Sequence, residues 1–186
     1  RLPDIASQLP TDLVEGEAAL DIEVDIPRNP GPQHRQQLIL SSDLKGIAIK
    51  LPAPLGKAAN DSRPLRLVMP LNNSKETFRL HYDELLNAAF RPDADRLAIH
   101  FGPGKAELPE QAVLKISGQL EQLTLDPWLQ MDSGKGKTED KFGIPPLRAD
   151  VHVDKLHFRQ FEQDDIQLKL EQLTNSWQGQ LQSKQL

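Results

Sequence analysis

Residues 38–57, which read LILSSDLKGIAIKLPAPLGK, carry the strongest structural signals of this chain. Segments 38–41 and 47–50, on either side of a short polar break, each place an apolar side chain at every second position. Successive side chains of a strand point to opposite faces, so this spacing predicts a β-strand on each side of a turn. Pro52 and Pro54 follow; because proline lacks a backbone N–H and has a fixed φ, they end the strand or place it at a sheet edge.

The same spacing recurs along most of the remaining chain. The segments that show it are 20–26, 65–71, 78–82, 97–101, 114–120, 147–153, 166–170 and 177–181. Turn-forming Pro, Gly, Asn and Asp residues separate most of them at hairpin distances. The chain lacks the regular alternation of strand and helix that a parallel sheet needs. We therefore predict a mainly β fold, built as a curved antiparallel meander with short helices.

Helix signals are confined to two short segments. Residues 2–13 form a leading segment that two prolines interrupt. Asp126 and Pro127 provide an N-cap residue and a first-turn proline, which predict one or two helical turns over residues 126–131. Helices of this length are too short to cover a sheet with so many strands.

Domain boundaries are marked by one charged, glycine-containing segment. Residues 132–141, DSGKGKTEDK, predict a flexible loop. The loop separates possible sub-units 1–131 and 142–186 within one domain over residues 1–186. Because the chain begins at Arg1 and its last strand pattern carries no stop signal, we expect it to be part of a longer protein.

Composition excludes several classes of function. The chain has 22 Lys and Arg against 27 Asp and Glu, a formal charge of −5, and the two signs are interspersed. Such a surface does not attract nucleic acid. There is no cysteine, which excludes disulfides, thiolate catalysis and zinc–thiolate sites. No apolar run approaches the roughly 20 residues that span a bilayer, so any membrane anchor is expected outside this piece.

The sequence offers no convincing catalytic or metal-binding pattern. Gly136 and Lys137 resemble the end of a phosphate-binding loop, but that motif needs glycine at position 131, where methionine stands. The five histidines are dispersed, and none has a second histidine and a carboxylate at a metal-ligand spacing. The pairs Asp93 with Asp95 and Asp164 with Asp165 are predicted to be turn residues. We predict a protein that is not an enzyme and has no cofactor or metal.

The alternating apolar stripes allow two interpretations. They form either the buried side of a sandwich or helix-covered sheet, or an open trough on one face of a curved sheet. Pattern alone favours the buried alternative. A large exposed apolar surface normally marks a binding face, so the open alternative would predict a ligand.

Several segments resemble one family of envelope proteins. The steps Ser42-Asp43-Leu44-Lys45-Gly46 and Leu51-Pro52-Ala53-Pro54-Leu55-Gly56-Lys57 resemble a strand turn and a strand exit of the YhdP family of large AsmA-like bacterial proteins. Residues 14–18 resemble the segment that leads into a first strand, and residues 118–129 resemble a Gly-x-Leu step into a short Trp-Leu helix. Residues 147–183 resemble the general AsmA-like repeat. The likeness covers most of the chain, with residues 38–57 as its most specific part.

The resemblance implies a repeating β-groove that carries the acyl chains of phospholipids between the inner and outer membranes. It implies a periplasmic location and a parent protein anchored in the inner membrane. Charged headgroups would stay at the open polar rim. The lining that it implies consists of Leu20, Ile22, Val24, Leu65, Leu67, Met69, Phe78, Leu80, Tyr82, Leu97, Ile99, Phe101, Val151, Val153, Ile166, Leu168 and Leu170.

Two other functions remain open at this stage. The first is a structural β-rich envelope domain that binds a protein partner without transporting lipid. The second is a hydrolase of envelope polymers, which lacks support because no nucleophile–base pair or paired carboxylates are visible.

Overall fold

The computed structural model describes residues 13–28, 35–71, 76–132, 145–173 and 176–183. Of these residues, 58% lie in strands and 7% in helices, which confirms the mainly β prediction. The elements in chain order are β1 (Val14–Gly16), β2 (Asp21–Asp25), β3 (Gln37–Ser42), β4 (Ile47–Ile49), β5 (Leu65–Pro70), β6 (Phe78–Tyr82), β7 (Leu86–Arg91), β8 (Arg96–Phe101), β9 (Leu114–Thr124), α1 (Leu125–Asp132), β10 (Leu147–Phe158), β11 (Phe161–Leu173) and β12 (Ser176–Ser183).

One large sheet dominates the fold. Its ten strands follow the order β2-β3-β5-β6-β7-β8-β9-β10-β11-β12, and it does not close into a barrel. Strands β2 and β12 are therefore its two edges. The remaining strands, β1 and β4, form a separate two-stranded antiparallel sheet.

The large sheet is mixed, whereas the sequence predicts an antiparallel meander. Strand β9 runs parallel to both β8 and β10, and the other pairings of this sheet are antiparallel. A parallel pair needs a crossover instead of a hairpin. Residues 102–113 form the first crossover, and Ala106 within it packs on Ala89 and Ala98. Helix α1 begins the second crossover, which leads to β10.

The connection between β3 and β5, residues 43–64, folds over one face of the sheet, and we call it the cap. The two alternating segments that flank the first turn do not pair with each other, because β4 leaves the large sheet and pairs with β1. Gly46 permits this route. Its φ is +102°, and a Cβ built there would lie 2.1 Å from the carbonyl oxygen of Glu17. Only glycine fits so close a backbone approach.

The helix predictions have different outcomes. Helix α1 confirms the turns predicted over residues 126–131 and starts one residue earlier, at Leu125. The segment 2–13 lies almost entirely outside the described residues. The predicted loop 132–141 also lies outside them except for residue 132, so its flexibility stays a prediction. Strands β9 and β10, on either side of that loop, are neighbours in one sheet.

Candidate functional site

One line of apolar residues crosses the whole large sheet. Each member is the direct register partner of the next, so all the side chains share one face. We call this line the central row, and it contains no charged or polar side chain. Its members, from β2 to β12, are Ile22, Leu40, Leu67, Leu80, Ala88, Ile99, Ile116, Ala149, Leu170 and Gly179.

Two further rows flank the central row, two residues away along each strand and on the same face. The row nearer the cap, which we call the cap-side row, is Leu65, Tyr82, Leu86, Phe101, Gly118, Val151, Leu168 and Leu181. The row on the other side, which we call the far row, is Val24, Leu38, Met69, Phe78, Phe90, Leu97, Leu114, Leu147 and Trp177. Two polar residues also belong to these flanking rows, Ser42 opposite Leu65 and Gln172 opposite Trp177. At the other positions, alternation in the sequence gives one apolar face.

The cap covers part of the cap-side row. Leu44 is buried with Tyr82 and Leu86, and the cap residues Ile47, Ile49 and Leu55 pack against this cluster. The Tyr82 hydroxyl donates a hydrogen bond of 3.2 Å to the carbonyl oxygen of Leu55. Apolar side chains of the protein itself therefore occupy this part of the face.

A buried lysine holds the cap together. Lys57 is only 7% exposed. Its ammonium donates to the carbonyl oxygens of Leu44 at 2.8 Å and Ala58 at 3.0 Å, and to that of Ile47. The three donors of an ammonium are thus matched by three backbone acceptors, which offsets the cost of removing the charge from water.

Helix α1 lies next to the cap and packs on the same face of the sheet through its first residue. Leu125 packs on a buried cluster formed by Leu120, Val151, Val153, Leu156 and Ile166. The Asp126 carboxylate accepts a 2.6 Å hydrogen bond from the backbone N–H of Arg159, in the turn between β10 and β11. The Trp128 indole N–H donates to the carbonyl oxygen of Ala53, in the cap, at 3.1 Å. The helix is therefore attached to both the sheet and the cap.

Apolar side chains stay exposed at both edges of the sheet. Ile22 on β2 is 64% exposed, and on β12 Trp177 and Leu181 are 58% and 64% exposed. Between the edges, most of the central row is half-buried. Exposed apolar surface is typical of binding faces, so this face is the candidate site.

The opposite face carries polar residues, as the alternation predicts, but Ile39, Ala89 and Ala98 are buried on it, and Ala106 of the first crossover packs on the two alanines. Register partners Arg66 and His81 lie there, as do Asn87 and His100. His81 contacts the Asn87 amide oxygen at 2.8 Å, and His100 contacts Ser117 Oγ at 3.1 Å. The histidines on these strands thus have ordinary polar partners.

The pair Asp164 and Asp165 is not in a turn, contrary to the prediction. Both residues belong to β11, and Asp165 has a φ of +56° within the strand. One carboxylate oxygen of Asp165 lies 3.2 Å from Nε2 of His152, and Asp154 lies at the same distance from that atom. Across the part of the chain that the structure describes, no group of three or more His, Asp or Glu is arranged to hold a metal ion. Asp93 and Asp95 do lie in a turn, around the short 3-10 helix Pro92–Ala94.

The strand residues predicted to line a groove share the apolar face, but the structure divides them. Leu65, Tyr82 and Phe101 pack beneath the cap, and Val151, Val153 and Ile166 lie in the cluster below α1. Leu20 precedes β2 and is exposed. Most of the other predicted residues lie outside both clusters, in the central row, the far row or the β11 part of the cap-side row. They are Ile22, Val24, Leu67, Met69, Phe78, Leu97, Ile99, Leu168 and Leu170. Leu80 also belongs to the central row and packs at the margin of the capped cluster.

Other residues of the same face were not predicted as lining. They are Leu38, Leu40, Leu86, Ala88, Phe90, Leu114, Ile116, Leu147, Ala149, Trp177 and Leu181. The same period of two identifies all of them. The lining role of both sets stays a prediction.

Comparison with known proteins places the chain in a family. In the described residues, no helix combines the length and apolar character needed to cross a membrane. No curated protein and no solved structure matches the chain. The family described as YhdP protein matches residues 2–186, which include the cap, α1 and every strand of the large sheet. The chain therefore belongs to the YhdP family of AsmA-like bacterial envelope proteins.

Proposed function

We propose that this chain is a segment of a periplasmic lipid-transfer protein and carries phospholipid acyl chains between the inner and outer membranes. The observation that supports the proposal is the central row, which crosses all ten strands without a polar side chain and is exposed at the β2 edge. The parent protein would be anchored in the inner membrane by a segment outside this chain. No bond is made or broken, so the protein would not act as an enzyme.

The dimensions of the face suit acyl chains. Strands in a sheet lie about 4.8 Å apart, so the path from β2 to β12 is about 43 Å long. The hydrocarbon core of a bilayer is about 30 Å thick, so one acyl chain covers about 15 Å. The central row would therefore hold between two and three chain lengths end to end.

The chemistry of the face suits movement more than storage. Burial of apolar area stabilises by about 25 cal/mol per Å² and has no preferred direction. Each apolar residue of the row offers a similar contact, so a chain can shift by one strand without leaving a deep energy minimum. Charged headgroups would remain in water at the polar rim, because burying them unpaired is costly.

Photo-crosslinking in the complete protein, expressed in its bacterium, tests the proposal. A p-benzoylphenylalanine in place of Leu67, in the central row, should form adducts with phospholipids labelled by radioactive phosphate. The matched control replaces Arg66, the preceding residue, whose side chain points to the opposite face and is exposed. No phospholipid adduct at Leu67, or equal adducts at both sites, would overturn the proposal. Adducts with a protein at Leu67 instead would favour the structural envelope domain.

A further inference from the structure

We infer that the cap and α1 form one fixed wall along the groove and confine acyl chains to the central row and the far row. This inference rests on the proposed function and adds the path of the ligand. The first observation is that side chains of the protein itself already cover part of the cap-side row. Tyr82 is 6% exposed and Leu86 is 9% exposed, because Leu44 and its neighbours in the cap already pack on them. A ligand cannot use positions that the protein fills itself.

The wall has two parts, which meet at one contact. The cap packs on the cap-side row from β5 to β8, and Leu125, the first residue of α1, packs on the buried cluster of β9 to β11. Leu120 and Val153, directly paired between β9 and β10, belong to the cluster on which Leu125 packs. The hydrogen bond from Trp128 to Ala53 joins the two covers at the point where they meet. We call this contact the latch.

The attachments of the wall are polar and specific, so the wall is not a loosely packed loop. Lys57 ties the two ends of the cap together through three carbonyl oxygens. Arg63 donates a 2.8 Å hydrogen bond to the carbonyl oxygen of Pro54. Hydrogen bonds from charged donors are stronger than neutral ones. Displacement of the cap by an acyl chain would break these contacts and replace one apolar contact with another.

The wall sets the width available to lipid. Residues two apart on a strand are about 6.6 Å apart, so three open rows would give a face about 13 Å wide between the outermost row centres. Closure of the cap-side row reduces this distance to about 6.6 Å. Much of the far row stays accessible, since Phe90 is 40% exposed and Trp177 is 58% exposed, although Met69 in that row is buried. The path for the lipid would therefore be narrow, would lie beside the wall and would hold a single layer of acyl chains.

Crosslinking at two positions of one strand tests the wall. Leu80 and Tyr82 lie on β6 with side chains on the same face, in the central and the cap-side row. In the complete protein, p-benzoylphenylalanine in place of Leu80 should give phospholipid adducts, and the same residue in place of Tyr82 should give about a tenth as many or fewer. Equal adducts at both positions would contradict the inference of a wall but would leave the proposed function unaffected. Absence of adducts at both Leu80 and Leu67 would instead overturn the proposed function.

A latch variant provides the second measurement. Trp128→Phe removes one hydrogen bond donor and keeps an aromatic ring, so the sheet should remain folded. Loss of one typical hydrogen bond favours the open cap by about fivefold, and the adducts at Tyr82 should rise by about that factor. Gln167→Met, on β11 and on the opposite face of the sheet, removes the hydrogen bond that the Gln167 amide donates to Asp150; it is the matched control and should leave the adducts at Tyr82 unchanged. No rise in Trp128→Phe, or the same rise in both variants, would show that the wall does not control access.

Discussion

Trp128 of α1 and Ala53 of the cap are joined by a hydrogen bond of 3.1 Å although 75 residues separate them. Each lies within a segment that resembles the family at the sequence level. The helix start at residues 125–128 and the double-proline exit at residues 51–57 therefore have a common structural purpose, since each supplies one half of the latch.

Removal of the latch should loosen the cap. In Trp128→Phe we expect the free energy of unfolding to fall by about 1 kcal/mol, the contribution of a typical hydrogen bond. Amide hydrogen exchange should become faster at residues 44–57 and stay unchanged in β10 and β11. Faster exchange throughout the sheet would contradict a local role for this contact.

Lys57 should be the most sensitive charged residue of the cap. Lys57→Met leaves the carbonyl oxygens of Leu44, Ile47 and Ala58 without their shared donor in a buried setting, so we expect a loss of about 3 kcal/mol. Lys45→Met makes the same chemical change on an exposed residue of the cap and should change stability by less than about 0.5 kcal/mol. Urea unfolding of both variants measures the difference, and equal losses would refute the buried network.

Two glycines of the apolar face should respond in opposite ways to alanine. Gly118 has a φ of +112°, and a Cβ built there would lie 2.1 Å from the carbonyl oxygen of Phe101. Gly118→Ala should therefore cost more than about 2 kcal/mol through backbone strain and a clash between β8 and β9. At Gly179 the nearest atom to an added Cβ is Leu170 Cδ1 at 3.6 Å, an ordinary contact. Gly179→Ala should be neutral or stabilise by up to about 1 kcal/mol, and thermal unfolding would show whether the two differ in this order.

A charge in the central row should interrupt lipid passage. Leu80→Asp or Ile99→Asp would place a carboxylate where acyl chains pass, and an unpaired charge in an apolar setting costs several kcal/mol. Arg79→Asp introduces the same group on the opposite face and should leave envelope integrity intact. Leu80→Asn adds a neutral polar group at the same position. It replaces Leu80→Asp in the experiment if the charged variant does not accumulate in cells. Detergent sensitivity of cells that carry each variant is the measurement, and sensitivity in Arg79→Asp alone would contradict the assignment of the faces.

Polar residues that resemble catalytic candidates should matter little. His81→Ala, His100→Ala and Asp95→Ala remove side chains that contact Asn87, contact Ser117 or end a short 3-10 helix. We expect each variant to retain lipid crosslinking at Leu67 and normal envelope integrity. Loss of function in these variants, together with retention in Leu80→Asp, would favour an enzyme over a groove.

The period of two was enough to predict the strands and the common face of Leu67, Leu80 and Ile99. It could not predict the direction of β9, because side-chain alternation is the same in parallel and antiparallel pairs. The crossover at residues 102–113 also carries no helix, so its sequence resembles an ordinary turn.

The division of the apolar face into covered and open rows also could not be predicted from the sequence. Leu65 and Leu67 have the same spacing and similar chemistry, yet only Leu65 packs against the capped cluster. That difference depends on Leu44 and Leu55, which reach the sheet only because the cap folds back over it. Long-range packing of this kind leaves no periodic signal near the residues that it covers.

The parallel placement of β9 also bears on the order in which the chain assembles. Strands β5 to β8, and β10 to β12, pair with their neighbours in sequence and can form through local hairpins. Strand β9 can join β8 or β10 only after a crossover closes a longer loop, which costs more chain entropy before any pairing is gained. We therefore expect two antiparallel blocks to form early and to remain separate until β9 is seated between them. Nascent chains arrested before that step would present two unjoined strand edges, the condition in which a β protein most needs a chaperone.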